Sequence, residues 1–430
     1  MTRQKKLLLV VGVSVMAVGL GTAVHGIVHS VRARVASRRA QEVRDGLRAH
    51  LGAAEPEQTR PEAEREGAHV AAAALLALHD PDWRVMQDAL LAARFGVPLP
   101  PDHMEALAGY WDGQEALRAL LQRSPETMPV FPPSLISPDS ETHPASVLLN
   151  AAYPLNRRIL SLATLREHQG DRESAASLLR YALLQTHAYG KAGDDALFAL
   201  GYAGNLNRTA EHIEGILSRC ALSETALRDL QAALALADVE GCLRDVLTKK
   251  ARRRMESEGV AAELPGRRDA SSAARAANKL QALKEVLDAL ADGPGGDGGR
   301  VGHIPTDAQA PHRTGFREGL DELVGLAVRA EAVVTVTRVG LAVERYRLSS
   351  GNWPESLEDL VPDYLTAVPS DPGTSEPLSY IDGDGWRVVY AGEKSAEPWP
   401  RELDSFRLTA RRRGACFALL SPDLRGKPGD

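Results

Sequence analysis

Apolar residues recur at helical spacing along most of this chain, and only near its end does the period shorten to that of strands. The longest periodic stretch begins at Leu320. From there Leu323, Val324, Ala327, Val328, Val334, Leu341, Ala342 and Tyr346 keep a helical spacing, and no proline intervenes before Pro354. The spacing predicts a helix of roughly 30 residues, about 45 Å long at about 1.5 Å per residue. Gly351 tolerates the left-handed conformation of a helix end and Pro354 prevents re-extension, so the helix is expected to stop near Ser349. Glu355–Leu360 can then make one helical turn that buries Leu357 and Leu360. Val361, Val368 and Asp371 each precede a proline and are biased toward extended backbone. Two apolar runs, Leu378–Ile381 and Trp386–Tyr390, flank the turn residues Asp382-Gly383-Asp384-Gly385 and predict a β-hairpin. Ala415–Leu419 reads as a last strand.

At the other end, Arg3, Lys5 and Lys6 precede an uncharged run from Leu7 to Val31, about 37 Å as a helix against a hydrocarbon core of about 30 Å. Residues 1–31 are therefore expected to form a membrane anchor. A cleaved signal peptide is the alternative, with Leu7–Leu20 as its apolar region and Gly21-Thr22-Ala23 at the cut. The apolar run continues through Val24, Ile27, Val28 and Val31, which favours the anchor. Residues 32–123 read as N-terminal helices, with a linker at Leu51–Pro61 and helices near Glu62–His79, Pro81–Phe95 and Asp102–Gln122. Residues 124–144 hold six prolines and form a linker.

The body, residues 145–291, reads as a run of helical hairpins. Its clearest joint has Gly170 stopping one helix and Asp171 capping the next, as in one half of a tetratricopeptide-type hairpin. No clean period of about 34 residues repeats, so an irregular solenoid or bundle fits better. Ser223 opens a further helix, expected to reach Val239, and Ala273–Ala291 closes the body. Residues 292–315 form a Gly/Pro-rich linker, and residues 316–430 a final α+β domain. The expected class is thus mainly α: one transmembrane helix, a helical-hairpin body, and a small end domain with a long helix and a short antiparallel sheet.

Composition changes this picture in two places. With 44% hydrophobic and 25% charged residues the chain is globular, and a net charge of −6 argues against a dedicated nucleic-acid binder. The three cysteines, Cys220, Cys242 and Cys416, are too few and scattered for a disulfide framework or zinc site. His25 and His29, four apart in the apolar run, are read as interfacial neutral histidines rather than a proton or metal site. The basic cluster Lys249, Lys250, Arg252, Arg253 and Arg254 is read as a solvated helix end rather than a lipid or nucleic-acid patch. Asp382–Gly385 lacks the distal ligands of a calcium loop, and no Walker, dinucleotide, zinc-protease or nucleophile-elbow motif occurs. No catalytic residue, metal or cofactor is expected.

A more specific resemblance lies in the last quarter. Glu344, Tyr346, Gly351, Pro354, Leu357, Leu360, Pro369, Asp371, Pro372, Tyr380, Gly385 and Tyr390 follow the order of a long helix, a G-x-x-P-x-S-L-x-x-L segment, a P-x-D-P turn and a tyrosine-bounded hairpin. In this they resemble the globular domain of type II secretion major pseudopilins. Similar tails end many large uncharacterised proteins of planctomycete-like bacteria, which the Ala/Arg/Leu-rich body also resembles. The hydrophobic N-terminus here lacks the pseudopilin leader motif, and Ala391-Gly392-Glu393-Lys394 does not match that family's calcium loop. The resemblance implies a single-pass protein of the inner membrane, with its bulk in the periplasm. It also implies a structural or interaction role among protein partners of a secretion-like or envelope assembly, without nucleic acid. The alternative function is an exported module that holds a peptide or polysaccharide.

Overall fold

A computed structural model describes residues 61–77, 90, 99–122, 128–131, 144–192, 196–249, 314–392 and 403–425. The chain divides into two units, and apart from residues 144–147 the described ones lie in the unit formed by Pro61–Ile136 and Leu148–Asp430. Several expectations fall outside the described residues: the anchor with His25 and His29, the helix at 81–95 apart from Leu90, all but Lys249 of the basic cluster, the helix at 273–291, and the linker up to residue 313.

What is described is mainly helical with one three-stranded sheet. The helices are α1 (Glu62–Ala77), α2 (Pro101–Asp112), α3 (Glu115–Gln122), α4 (Pro144–His168), α5 (Arg172–Ala192), α6 (Ala196–Arg219), α7 (Glu224–Leu234), α8 (239–249), α9 (Thr314–Ser350) and α10 (Leu403–Arg413). The strands are β1 (Ser379–Gly383), β2 (Trp386–Gly392) and β3 (Gly414–Leu420).

Two helix boundaries correct the sequence reading. The stretch expected as one helix from Asp102 to Gln122 is broken at Gly113, whose N–H bonds back to the Gly109 and Tyr110 carbonyls, while Gln114 N–H takes that of Trp111. The break re-aims the chain so that Trp111 and Leu107 on α2 and Leu117 and Leu121 on α3 are all buried. Further on, Ser223 does cap a helix, its hydroxyl accepting from Ala226 N–H at 3.2 Å, but that helix ends at Leu234 rather than Val239. Asp238 restarts the chain as α8 by accepting from Gly241 N–H at 2.8 Å, the same short-side-chain cap as at Ser223. The Gly170–Asp171 joint forms as expected: Gly170 has φ +83° and Asp171 accepts from Ser174 N–H at 3.2 Å at the start of α5.

Buried polar groups tie the body helices together. Asn156 on α4 donates to Thr209 on α6 at 3.3 Å, and Trp111 on α2 donates to Ser161 on α4 at 3.3 Å. His187 on α5 bridges three elements. Its Nε2 lies 2.9 Å from the Ala233 carbonyl, so it must donate there; Nδ1 then accepts from the Tyr202 hydroxyl at 2.8 Å, and that oxygen accepts from Asp238 N–H at 3.3 Å. Burial pushes the imidazole down to about 4, against weaker support from the Ala233 carbonyl, so the ring is neutral.

The long helix α9 starts at Thr314, earlier than expected, and its 37 residues span about 55 Å. It stops at Ser350, where Gly351 takes φ +79° and its N–H bonds the Arg347 carbonyl. Along its length α9 packs on α6, α7, β2 and β3. The sheet runs β1-β2-β3, all antiparallel, with Ser379 opposite Tyr390 and Tyr390 opposite Cys416. Trp386, Val388, Tyr390, Cys416 and Ala418 bury one face against Ala410 and Leu403 of α10, while Phe417 on the other face lies against α9. A sheet covered on both faces reads as an unbroken apolar run, which is why Ala415–Leu419 shows no alternation. Contact with α9 is close: a Cβ on Gly340 would stand 2.1 Å from the Phe417 ring.

Candidate functional site

The motif residues of the last quarter mostly build the fold. Gly351 ends α9, Pro354 is buried after it, and Leu357 and Leu360 fill the core from the short 3-10 turn Leu357–Leu360. That turn is held at its start by Asp359, whose Oδ2 accepts from Glu355 and Ser356 N–H at 2.8 and 3.0 Å. Asp371 is 4% exposed and is consumed by its own turn, accepting from Gly373 N–H at 2.8 Å and from the Thr374 hydroxyl at 3.0 Å, with Pro372 between. Gly385 turns the hairpin at φ +74°, Tyr390 is buried in β2, and burial pushes the half-buried Tyr380 up to about 12. Glu344 is fully buried on α9. It takes hydrogen bonds from Arg347 at 2.8 Å and from Arg425, beyond β3, at 2.8 Å. Burial alone would raise this carboxyl, but the two guanidiniums overcome it and hold it below 4.5.

One motif residue, Pro369, reaches a site that the motif did not announce. Between α7, α9 and the loop 361–369 lies a cleft of about 470 Å³. Its walls follow from helical spacing. Arg228, Gln231 and Ala232 on α7 and Ala235, the residue that caps its end, stand at i, i+3, i+4 and i+7, on one face. On α9, Thr335, Arg338 and Val339 repeat the i, i+3, i+4 pattern opposite, and Arg345 follows two turns later. The two alanines leave the room that longer side chains would fill.

The loop is fixed by hydrogen bonds. Tyr364 and Leu365 N–H both bond the Leu360 carbonyl, Val361 is extended before Pro362, and Leu365 is buried. Gln231 donates to the Tyr364 carbonyl at 2.9 Å and accepts from Arg345 Nη1 at 2.7 Å. Arg345 Nε also pairs with Glu224 at 2.9 Å, and its guanidinium sits 5.2 Å from the centre of the Tyr364 ring. Helix α7, helix α9 and the loop are thus locked into one rim.

Electrostatically the cleft is one-sided. Arg228, Arg338 and Arg345 line it and, among the described residues, no carboxylate does. Arg345 is neutralised by Glu224, but Arg338 Nε is buried with no hydrogen-bond partner. Glu331, two turns earlier on α9, feels the Arg338 charge, while its carboxylate accepts a hydrogen bond from Val239 N–H at 3.3 Å. Such a cleft can hold an anion; among the described residues it contains no nucleophile–base pair, and no group of three His, Cys, Asp or Glu side chains could hold a metal. A signal existed in the sequence: Arg338 interrupts the run from Val333 to Val339, and Arg228 shares a face with two alanines. Neither is recognisable as a site until α7 and α9 are placed side by side.

The cysteines stay apart from this chemistry. All three are free, and burial pushes Cys220 and Cys242 up to about 11 and Cys416 up to about 12. Among the described residues no helix is long and apolar enough to cross a membrane. Comparison with protein-family models, with curated proteins and with solved structures returns no match.

Proposed function

We propose that this chain is a non-enzymatic, membrane-anchored structural and interaction protein, a component of a type II secretion-like or envelope assembly, with its folded unit outside the cytoplasm. The observation that carries the reading is the cleft itself. The C-terminal segment, whose residues resemble a pseudopilin globular domain, packs on the helical body so that the two together build a rigid, basic recess. A recess with an arginine rim and no catalytic pair suits recognition of another molecule. The uncharged run Leu7–Val31 supports the tether and the exported placement. Within the alternative of an exported binding module, three guanidiniums and a single tyrosine favour a charged peptide over a neutral polysaccharide.

Topology tests this reading first. A Gly296→Cys variant is treated in cells with a membrane-impermeant maleimide after the outer layer is permeabilised. The three native thiols, buried or half-buried and with raised pKa values, give a low blank in the parent chain. Labelling with the inner membrane intact is the expected result. Protection until that membrane is lysed would place the unit in the cytoplasm and overturn the envelope assignment.

A further inference from the structure

We propose that the cleft between α7, α9 and the 361–369 loop binds an acidic peptide segment, Arg228 and Arg338 pairing with its carboxylates while the apolar floor takes a neighbouring side chain. The inference rests on the reading of this chain as an interaction protein and names the chemistry of the partner.

Three observations converge on it. First, the guanidiniums are not equivalent. Arg345 is held by Glu224 and Gln231 and serves as a fixed wall, whereas among the described residues Arg228 joins no carboxylate and Arg338 feels the charge of Glu331 without forming an ion pair with it. Arg338 is half-buried and lines the cleft with exposed Arg228, so both present charge to an arriving carboxylate. The planar fork of arginine also matches a carboxylate in two parallel hydrogen bonds.

Second, the floor is apolar. Buried Val339 and Leu365 and exposed Ala235 line the cleft with the arginines, and a bare inorganic anion leaves that surface unused. A carboxylate carried on a chain beside an aliphatic side chain uses both. The volume, about 470 Å³, lies inside the range of about 300–1,000 Å³ common to ligand pockets.

Third, the attraction is local. The chain carries a net charge of −6, so an anion is drawn to this recess by the arrangement of its arginines rather than by the protein as a whole.

The test uses the full-length protein in detergent micelles and a fluorescein-labelled, end-capped peptide containing Glu-Leu-Glu, followed by anisotropy. Its Gln-Leu-Gln counterpart is the neutral control. The acidic peptide is expected to bind, with affinity falling about tenfold or more in Arg338→Met, which keeps much of the stem, and in Arg228→Ala. Ala235→Leu fills the cleft without altering charge and should abolish binding while leaving the unfolding midpoint in place. Equal binding of the Gln-Leu-Gln peptide, absence of binding by the acidic peptide, or unchanged affinity in Arg338→Met and Ala235→Leu would each overturn the proposal. Displacement of the peptide by glutarate or inorganic phosphate at concentrations equal to its own would also overturn it, since the site would then be one for small anions. The topology measurement is independent of these arms: an extracytoplasmic unit that ignores the acidic peptide loses this inference and keeps the broader function.

Discussion

Helix α9 carries charge at two places about two turns apart, one buried and one half-buried, and the structure treats them in opposite ways. Glu344 is sealed from solvent with both carboxylate oxygens occupied by Arg347 and Arg425. Arg338 is half-buried on a recess that holds no carboxylate among the described residues, and Glu331, whose charge it feels, takes its hydrogen bond from Val239 N–H. A charge that is buried and fully paired fixes the position of the segment beyond β3 against the helix. A charge that is half-buried and makes no ion pair stays available to an arriving anion. The contrast separates an element of architecture from a candidate site more sharply than sequence spacing could.

Removing the paired carboxylate should produce the largest effect. Glu344→Ala leaves two guanidiniums facing each other in a dry pocket, and breaking one side of such a buried pair costs about 3–5 kcal/mol. Denaturant unfolding monitored by tryptophan fluorescence should show the midpoint falling by a corresponding amount. A shift below about 0.5 kcal/mol, the size expected for a surface substitution, would show that Glu344 does not lock the C-terminal end. Acid should act in the same direction. Because the folded carboxyl titrates below its ordinary value of 4.5, its contribution is complete above that pH and is lost as pH falls through the folded value.

A second acid-sensitive group sharpens the comparison by occupying a different pH window. His187 is buried neutral at about 4, below its ordinary 6.5. Between those values the unfolded chain binds a proton that the folded chain refuses, so stability is full above about pH 6.5 and declines toward pH 4. The decline amounts to roughly 3 kcal/mol at about 1.36 kcal/mol per unit. Unfolding free energies measured from pH 7 to 4 should fall in the parent, and the slope should flatten in His187→Gln. An equally steep slope in that variant would assign the sensitivity to another histidine.

Legibility in the sequence followed the range of the interaction. The end of α9 at Gly351, the hairpin about Gly385, the Gly170–Asp171 joint and the Ser223 cap are set by residues a few positions apart, and each was readable in advance. The break at Gly113 and the early end of α7 were not, because tertiary burial of Trp111 and the restart at Asp238 decide them. Motif residues likewise proved local: Asp371 closes its own turn and Gly351 ends its own helix. The pairing of Glu344 with Arg425 and the meeting of Arg228 with Arg338 link residues about a hundred positions apart or nearly so, and no periodicity announces them.

The smallest effect on stability should come from the site, and that asymmetry is the point of the comparison. Arg228 is exposed and, among the described residues, joins no carboxylate, so Arg228→Ala should change the unfolding free energy by no more than about 0.5 kcal/mol. Its electrostatic role is nonetheless exposed to solvent and screened with a length of about 10 Å at 0.1 M salt. Acidic-peptide affinity in the parent should therefore weaken as salt rises, and the salt dependence should be shallower in Arg228→Ala. The Glu344 lock, sealed from water, should show little response over the same range. If Arg228→Ala instead destabilises the fold as much as Glu344→Ala, then both arginine clusters are architecture, and the cleft is a seam between helices rather than a place for a partner.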